Sequence, residues 1–259
     1  IYGFTSGGFE VKGMNITIYT DILPSAGFGI TTAIKVGTAL AIRQLFKIPC
    51  TDDQLLQVIE RGNKLFLHVG NYIADNYAVL YSKPGNLIIT DHATGEYDYI
   101  PFDFKDKKIL LTDAKVPRIS IWDEEIVRQP ENVLLLGDLR DRKNNVYGGW
   151  VYEQSATEIN ETLSVISEDV KKKLLYIIKE HQFVLDSREA ILNGNFGVFA
   201  RCVNQSHELL SDLYKISCPE IDWILKRVSE FEPKLEYVRE PVTCGRITGK
   251  GFGRCLYAI

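Results

Sequence analysis

The amino-acid sequence predicts an α+β protein, built as one compact unit or as two intimate lobes, on three observations. Segments at 86–91, 96–102 and 108–113 carry the β-branched and aromatic residues of strands. Segments at 31–48, 52–68 and 167–231 place apolar residues at helical spacing. No internal repeat and no flexible linker interrupts the 259 residues, of which 45% are hydrophobic and 25% charged, enough for one large core or two smaller ones.

The chain opens at Ile1 as if inside a strand, so an upstream segment is expected before it. Residues 8–23, "GFEVKGMNITIYTDIL", alternate loosely between polar and apolar, which suggests a hairpin around Gly13. A glycine-containing turn leads into a helix with apolar residues at 33, 34, 36, 40, 42 and 45, and a second helix over 52–68 takes Thr51 or Asp52 as its cap. After the three strands the stretch 116–150 is the least regular, and "GDLRDRKNNVYGGW" at 137–150 reads as an exposed loop. Helices are then expected over 167–193, opened by Ser167-Glu168-Asp169 and closed near Gly194, over 195–214, and over 219–231 with Pro219 in its first turn. The chain ends on a strand, a glycine loop and another strand, "CGRITGKGFGRCLYAI".

Charge and cysteine usage narrow the function classes. A net charge of −4 gives no reason to expect nucleic acid, and Lys171-Lys172-Lys173 beside Glu168 and Asp169 reads as a solvated helix face. The five cysteines are widely spaced with no CxxC pair and no histidine at zinc-ligand spacing, which suits reduced thiols in a cytoplasmic protein. The Asn-x-Ser/Thr matches at Asn15, Asn160 and Asn204 read as chance, because neither a signal peptide nor an apolar run of membrane-spanning length accompanies them. The expected partners are small molecules, with no membrane and no nucleic acid; the sequence does not fix the oligomeric state.

Three constellations can carry chemistry. In "DILPSAGFGITTAIKVG" the amides and positive dipole end of a helix start, with small residues that admit a ligand closely, form an anion site to which Thr31 and Thr32 add hydroxyls. The same residues also read as a tight turn capped by threonine, and no Gly-Lys-Ser/Thr follows to make a Walker loop. In "GNYIADNYAVL" Asp75 lies in an otherwise uncharged run, where it is either a cap near the surface or a placed functional acid. The terminal glycine loop is either a support for a ligand or a turn that needs positive backbone angles, its basic residues facing solvent.

In order along the chain, these segments resemble galactokinase, of the GHMP sugar and mevalonate kinase superfamily. "FARCVNQSHELLSDLYKISCPEID" at 199–222 is similar to the helical run with its Ser-His pair and Ser-Cys-Pro-Glu-Leu-Asp. "CGRITGKGFGRC" is similar to the third motif, Gly-Ala-Arg-Met-Thr-Gly-Gly-Gly-Phe-Gly-Gly-Cys. "LPSAGFGITTA" falls at the phosphate loop Pro-x-x-x-Gly-Leu-Ser-Ser-Ser-Ala, "NYIADNYA" at Gly-Ile-Met-Asp-Gln-Phe, and "LIITDHATGEYDYIPF" at the strand pair that follows.

The resemblance implies a two-lobed GHMP kinase fold of the α+β class. Residues 1–115 would form its N-terminal domain without the first segment, and 116–259 a C-terminal domain with ferredoxin-like elements. It implies a sugar 1-kinase that moves the γ-phosphoryl of ATP, with Mg2+, to the anomeric hydroxyl of galactose or a related sugar. Asp75 would be the catalytic carboxylate. Ser25, Ala26, Gly27, Phe28, Gly29, Ile30, Thr31 and Thr32 would hold the phosphates, supported by Gly249 and Gly251. Thr31, Thr32 and Asn63 would face the metal, although Asn63 stands where the family has a magnesium-binding glutamate.

Other departures are Cys244, Lys250 and Arg254 at small positions of the third motif, and the lack over 116–150 of the family's Tyr-Asn-x-Arg-Arg segment. The family's first motif, Gly-Arg-x-Asn-Leu-Ile-Gly-Glu-His-x-Asp-Tyr, belongs upstream of Ile1. The second function class is therefore a degenerate galactokinase-like protein that binds sugar or nucleotide as a sensor.

Overall fold

The computed structural model describes residues 1–24, 26–68, 73–91, 94–116, 168–231, 240–248 and 255–259. The expectations for 116–150 therefore lie almost wholly outside the described residues. Two compact units emerge: residues 1–24 with 28–100, and residues 25–27 with 101–259.

The first unit is mainly helical. α1 (Tyr2–Thr5) is a short helix where the sequence read as a strand, and it packs on α3. α2 (Ile30–Leu45) turns Val36, Ala39 and Ile42 inward at spacings of three, the stripe expected of an amphipathic helix. α3 (Asp52–Gly62) starts where its sequence says it must. The Gln54 amide donates to Thr51 Oγ1 at 3.2 Å, the Thr51 amide donates to Gln54 Oε1 at 2.9 Å, and Asp52 and Asp53 place negative charge at the positive helix end. Leu55, Val58 and Ile59 then face Phe4, Val36 and Ile42 in one core. Gly3 is needed there, since a Cβ on it would lie 2.0 Å from the Val58 carbonyl oxygen. α3 continues into a π-helical turn, Asn63–Leu67, ended by His68 at φ 53°. α4 (Ile73–Tyr81) packs on α2 and on β1 (Asn86–Thr90), which pairs with β2 (Tyr97–Pro101).

The hairpin expected over 8–23 is absent, as no strand is formed there. A two-stranded ribbon holds in water only when one face is covered. Here Ile16, Ile18 and Tyr19 remain 49%, 55% and 86% exposed, while Phe9, Val11 and Met14 reach the core without any strand pairing.

The second unit contains a three-stranded antiparallel sheet of order β3-β5-β4, with β3 Leu110–Asp113, β4 Gly245–Ile247 and β5 Cys255–Ala258. Leu110 pairs with Ala258, and Ile247 with Leu256. α5 (Glu168–Leu192) packs on α6 (Phe196–Asp212), α6 lies against β4, and α7 (Pro219–Ser229) lies against β4 and β5. Asn195 caps α6 by accepting from the Val198 amide at 3.1 Å, and Pro219 occupies the first turn of α7 as its fixed φ favours. Leu210, Ile216, Ile221, Leu225, Ile247 and Leu256 form the core. No disulfide joins the five cysteines, and burial pushes the Cys244 thiol up to about 12.

Two polar clusters fasten this core. Arg246 donates from Nε to Ser206 Oγ at 2.7 Å and from Nη2 to Glu180 Oε1 at 3.1 Å, while Ser206 donates to Glu180 Oε2 at 2.6 Å. Asp222 accepts from Ser217 at 2.5 Å, Ser211 at 2.8 Å and His207 Nε2 at 3.1 Å. With Nε2–H donating, His207 Nδ1 carries the lone pair and is buried without a hydrogen-bond partner among the described residues.

That orphaned nitrogen makes the fold sensitive to acid. Burial lowers the imidazole below its ordinary value of 6.5, with Asp222 opposing. The unfolded chain therefore takes up the proton first as pH falls. Stability is fully present above the unfolded value and is lost as pH drops toward the lower folded one. The urea midpoint is expected to fall between about pH 7 and pH 5, and less steeply in His207→Gln, which retains an N–H for Asp222. An equally steep fall in the variant would assign the effect to other groups.

Candidate functional site

The entry to α2 is shaped by two glycines with left-handed backbone, Gly27 at φ 77° and Gly29 at φ 70°. Gly29 is the N-cap, and its carbonyl accepts from the Ala33 amide at 2.9 Å. Among the described residues no side chain caps the helix, which leaves the first-turn amides at Ile30, Thr31 and Thr32 and the positive dipole end to an approaching ligand. The threonine cap, one reading of this sequence, is not formed. Thr31 is exposed and Thr32 half-buried within the first turn.

Gly27 is fixed by a neighbour distant in sequence. Thr248 Oγ1 lies 2.6 Å from the Ala26 carbonyl oxygen and 2.9 Å from that of Cys255, so its one proton serves two acceptors, and Ala26 is 1% exposed. A Cβ at Gly27 would lie 2.8 Å from Thr248 Oγ1. The start of the terminal glycine segment therefore touches the candidate residues Ala26 and Gly27, all within the second unit. Thr248 was not among the candidates from the sequence. Its signal was its position directly before Gly-x-Gly-x-Gly. Ser25, Gly249 and Gly251, with Lys250 and Arg254, lie outside the described residues.

The remaining candidates belong to the first unit. Asp75 is the third residue of α4, half-buried and followed by the buried Asn76 and Tyr77. α4 packs on α2, and among the described residues no hydrogen bond or ion pair engages the Asp75 carboxylate. Asn63 begins the π-helical turn at 6% exposure, and its Oδ1 accepts from Lys35 Nζ at 2.7 Å. Lys35 sits on α2 three and four residues after Thr32 and Thr31, hence on the same helix face.

These donors do not make a protein-held magnesium site. Magnesium binds hard, preferably anionic oxygens in near-octahedral array. Thr31 and Thr32 offer neutral hydroxyls, the Asn63 oxygen already receives an ammonium, and no group of three acidic, histidine or cysteine side chains that could hold a metal occurs among the described residues.

Residues 2–83 match the family model described as GHMP kinases N terminal domain. The fold agrees with that match. The crystal structure of Lactococcus lactis galactokinase, complexed with galactose, superposes with a TM-score of 0.86 at 22% identity, covering 100% of this chain and 64% of that one. The protein thus has the α+β fold of the GHMP kinases. The chain is similar in sequence to a protein of Treponema pallidum described as a putative galactokinase, at 33% identity over 261 residues, and to the galactokinase of Thermotoga maritima, at 27% identity over 256. The chain spans 64% of the length of the first relative and 67% of the second.

The Thr248 contact is testable without any ligand. Thr248→Val keeps the shape but removes the hydroxyl donor from the buried Ala26 carbonyl, while the Cys255 carbonyl still accepts from the Thr248 amide at 3.0 Å, a loss of about 1–3 kcal/mol in urea unfolding. Thr248→Ser, which keeps the hydroxyl, is expected to lose less than half of that. Equal losses would mean that the methyl group, and not the hydrogen bond, holds Ala26.

Proposed function

We propose that this protein is an ATP-dependent sugar kinase that phosphorylates the anomeric hydroxyl of galactose or a closely related sugar. The observation that carries this reading is the Asp75 carboxylate, half-buried and unengaged among the described residues, on a helix packed directly against α2, whose first-turn amides no side chain caps. Phosphoryl transfer needs positioning and charge stabilisation more than covalent catalysis, and the packed helices α2 and α4 carry the start without a side-chain cap and the unengaged carboxylate that would supply one of each.

In the proposed reaction the sugar hydroxyl oxygen bonds to the γ-phosphorus, the bond to the β,γ-bridging oxygen breaks, and ADP leaves. The hydroxyl proton passes to Asp75, or Asp75 orients that hydroxyl. The backbone amides from Gly27 to Thr32 hold the phosphates, and Thr31 and Thr32 add hydroxyl donors. The resemblance to galactokinase implies ATP and Mg2+, and a galactose complex of the Lactococcus lactis relative supports a small-sugar substrate. A cytoplasmic site of action suits five cysteines that form no disulfide, and no described helix is long and apolar enough to cross a membrane.

The test is coupled ADP release from the full chain with galactose and a small sugar panel. Asp75→Asn preserves size and removes the proton acceptor, so turnover is expected to fall by roughly two to four orders of magnitude with little change in ATP affinity. Turnover that survives the substitution would remove Asp75 from the chemistry. No turnover of any sugar by the wild type, with nucleotide still bound, would identify a sensor that has lost catalysis.

A further inference from the structure

The kinase reading gives Asp75 a reacting hydroxyl to orient, and a carboxylate in that role has to be aimed. Its direction is set by the rotation of α4, which shows three faces. Asn76 and Leu80, four residues apart, make the inner one: Asn76 is buried, and Leu80 packs against the cluster that contains Val36 and Leu55. Tyr77 and Tyr81 make the second, against the ribbon of β1 and β2. Asp75 and Val79 make the third, which is the outward one, Val79 being 40% exposed and Asp75 half-buried. Residues two apart lie about 200° apart around an α-helix, so whatever holds Tyr77 sets the direction of Asp75 on the opposite side.

Tyr77 is held firmly. Its hydroxyl donates to the Gly95 carbonyl at 2.8 Å, in the connection between β1 and β2. That connection is itself closed, since the Gly95 amide donates to the Asp91 carbonyl at 2.9 Å and the Asp91 amide to the Glu96 carbonyl at 2.8 Å. Tyr97 meets Tyr77 edge-on at 5.3 Å and stacks on Tyr81 at 5.0 Å, and Tyr81 extends the tie to α3 by donating to Asp53 Oδ1 at 3.1 Å. Burial, with Asp53 and Tyr97 adding to it, raises the Tyr77 hydroxyl above its ordinary value, so the proton stays on the oxygen that donates. The motif that this stretch resembles ends in Phe, so the hydrogen bond to Gly95 is something this chain adds. Apolar packing is non-directional, whereas a buried hydrogen bond sets distance and angle together.

We propose that Tyr77 is a positioning residue for Asp75: by donating to the Gly95 carbonyl it fixes the rotation of α4 and with it the direction of the carboxylate. The proposal rests on the kinase reading and adds what keeps the reacting group in line.

The experiment is ADP release from the full chain with the preferred sugar of the panel, kcat and the KM for ATP being measured separately. Tyr77→Phe keeps the ring and is expected to lower kcat by about three- to tenfold while the KM for ATP changes by less than about twofold, because the amides at the start of α2 are untouched. In an Asp75→Asn background, followed at high enzyme concentration, the same substitution is expected to change the residual turnover by less than about twofold, since a residue that acts through the carboxylate has nothing left to aim. Ile48→Val, a core change in the same unit, controls for a plain loss of stability and is expected to leave kcat unchanged.

Thermal unfolding checks that each variant folds. If Tyr77→Phe does not, Tyr97→Leu decides, because it removes the ring that braces Tyr77 from a partly exposed position and is expected to show the same split between kcat and KM. A kcat unchanged by Tyr77→Phe, a KM for ATP that rises in step with the fall in kcat, or a full further drop in the Asp75→Asn background would overturn the role of Tyr77 and leave the kinase reading standing. Turnover that survives Asp75→Asn, or no turnover of any sugar by the wild type, overturns the role of Asp75 and that of Tyr77 with it.

Discussion

The hydroxyl of Thr248 holds together two stretches of chain separated by 222 residues, and the backbone path through Ala26 and Gly27 follows from it. Once its proton lies between the Ala26 and Cys255 carbonyls, Ala26 is buried and the next residue must turn with positive φ where no Cβ fits. Gly27 meets that demand, Gly29 repeats the left-handed turn, and α2 then begins without a side-chain cap. A loop that bound its ligand by side chains would tolerate more variation here. One that presents backbone amides has to be fixed at its base, and for Ala26 this contact is made by the residue directly after β4.

The sheet depends in turn on the polar ring of Arg246, Glu180 and Ser206, which ties β4 to α5 and α6. Burial lowers the preference of the guanidinium for its charge, Glu180 restores it, and the net direction is upward, as expected for an ion pair whose members also share a hydroxyl. Asp222 does similar work for α7, gathering two serines and His207. Both clusters use residues of the 199–222 run, so that run serves the scaffold of the second unit.

Elements with local signals were legible in the sequence. Thr51 and Gln54 announced α3, Pro219 announced α7, and the strand-forming runs at 86–91, 96–102 and 108–113 gave β1 to β3 within about two residues. Readings that needed a neighbour did worse. The alternation of 8–23 is real, but a strand exists only in a sheet, and none forms there. α4 went unread because its β-branched and aromatic residues favour strands, and packing against α2 outweighs that preference.

For the site, the uncapped glycine entry to α2 and the isolation of Asp75 were visible in one dimension, and the pairing of Lys35 with Asn63 was not. A lysine within a helical pattern looks like any solvated residue until the partner 28 positions away is known. Thr248 was hidden for the same reason.

The wide turn after α3 has a genetic side. A π-helical turn is an α-helix with one residue too many, and one residue corresponds to about 100° of rotation around the helix axis. Losing a single codon between Asn63 and Leu67 would relax the turn to ordinary pitch and swing the surrounding side chains by that angle. The orientation of the amide at this corner is thus written in the length of the gene as much as in its composition. Lineages that differ by one triplet here would differ in what stands beneath α2, even with every other residue unchanged.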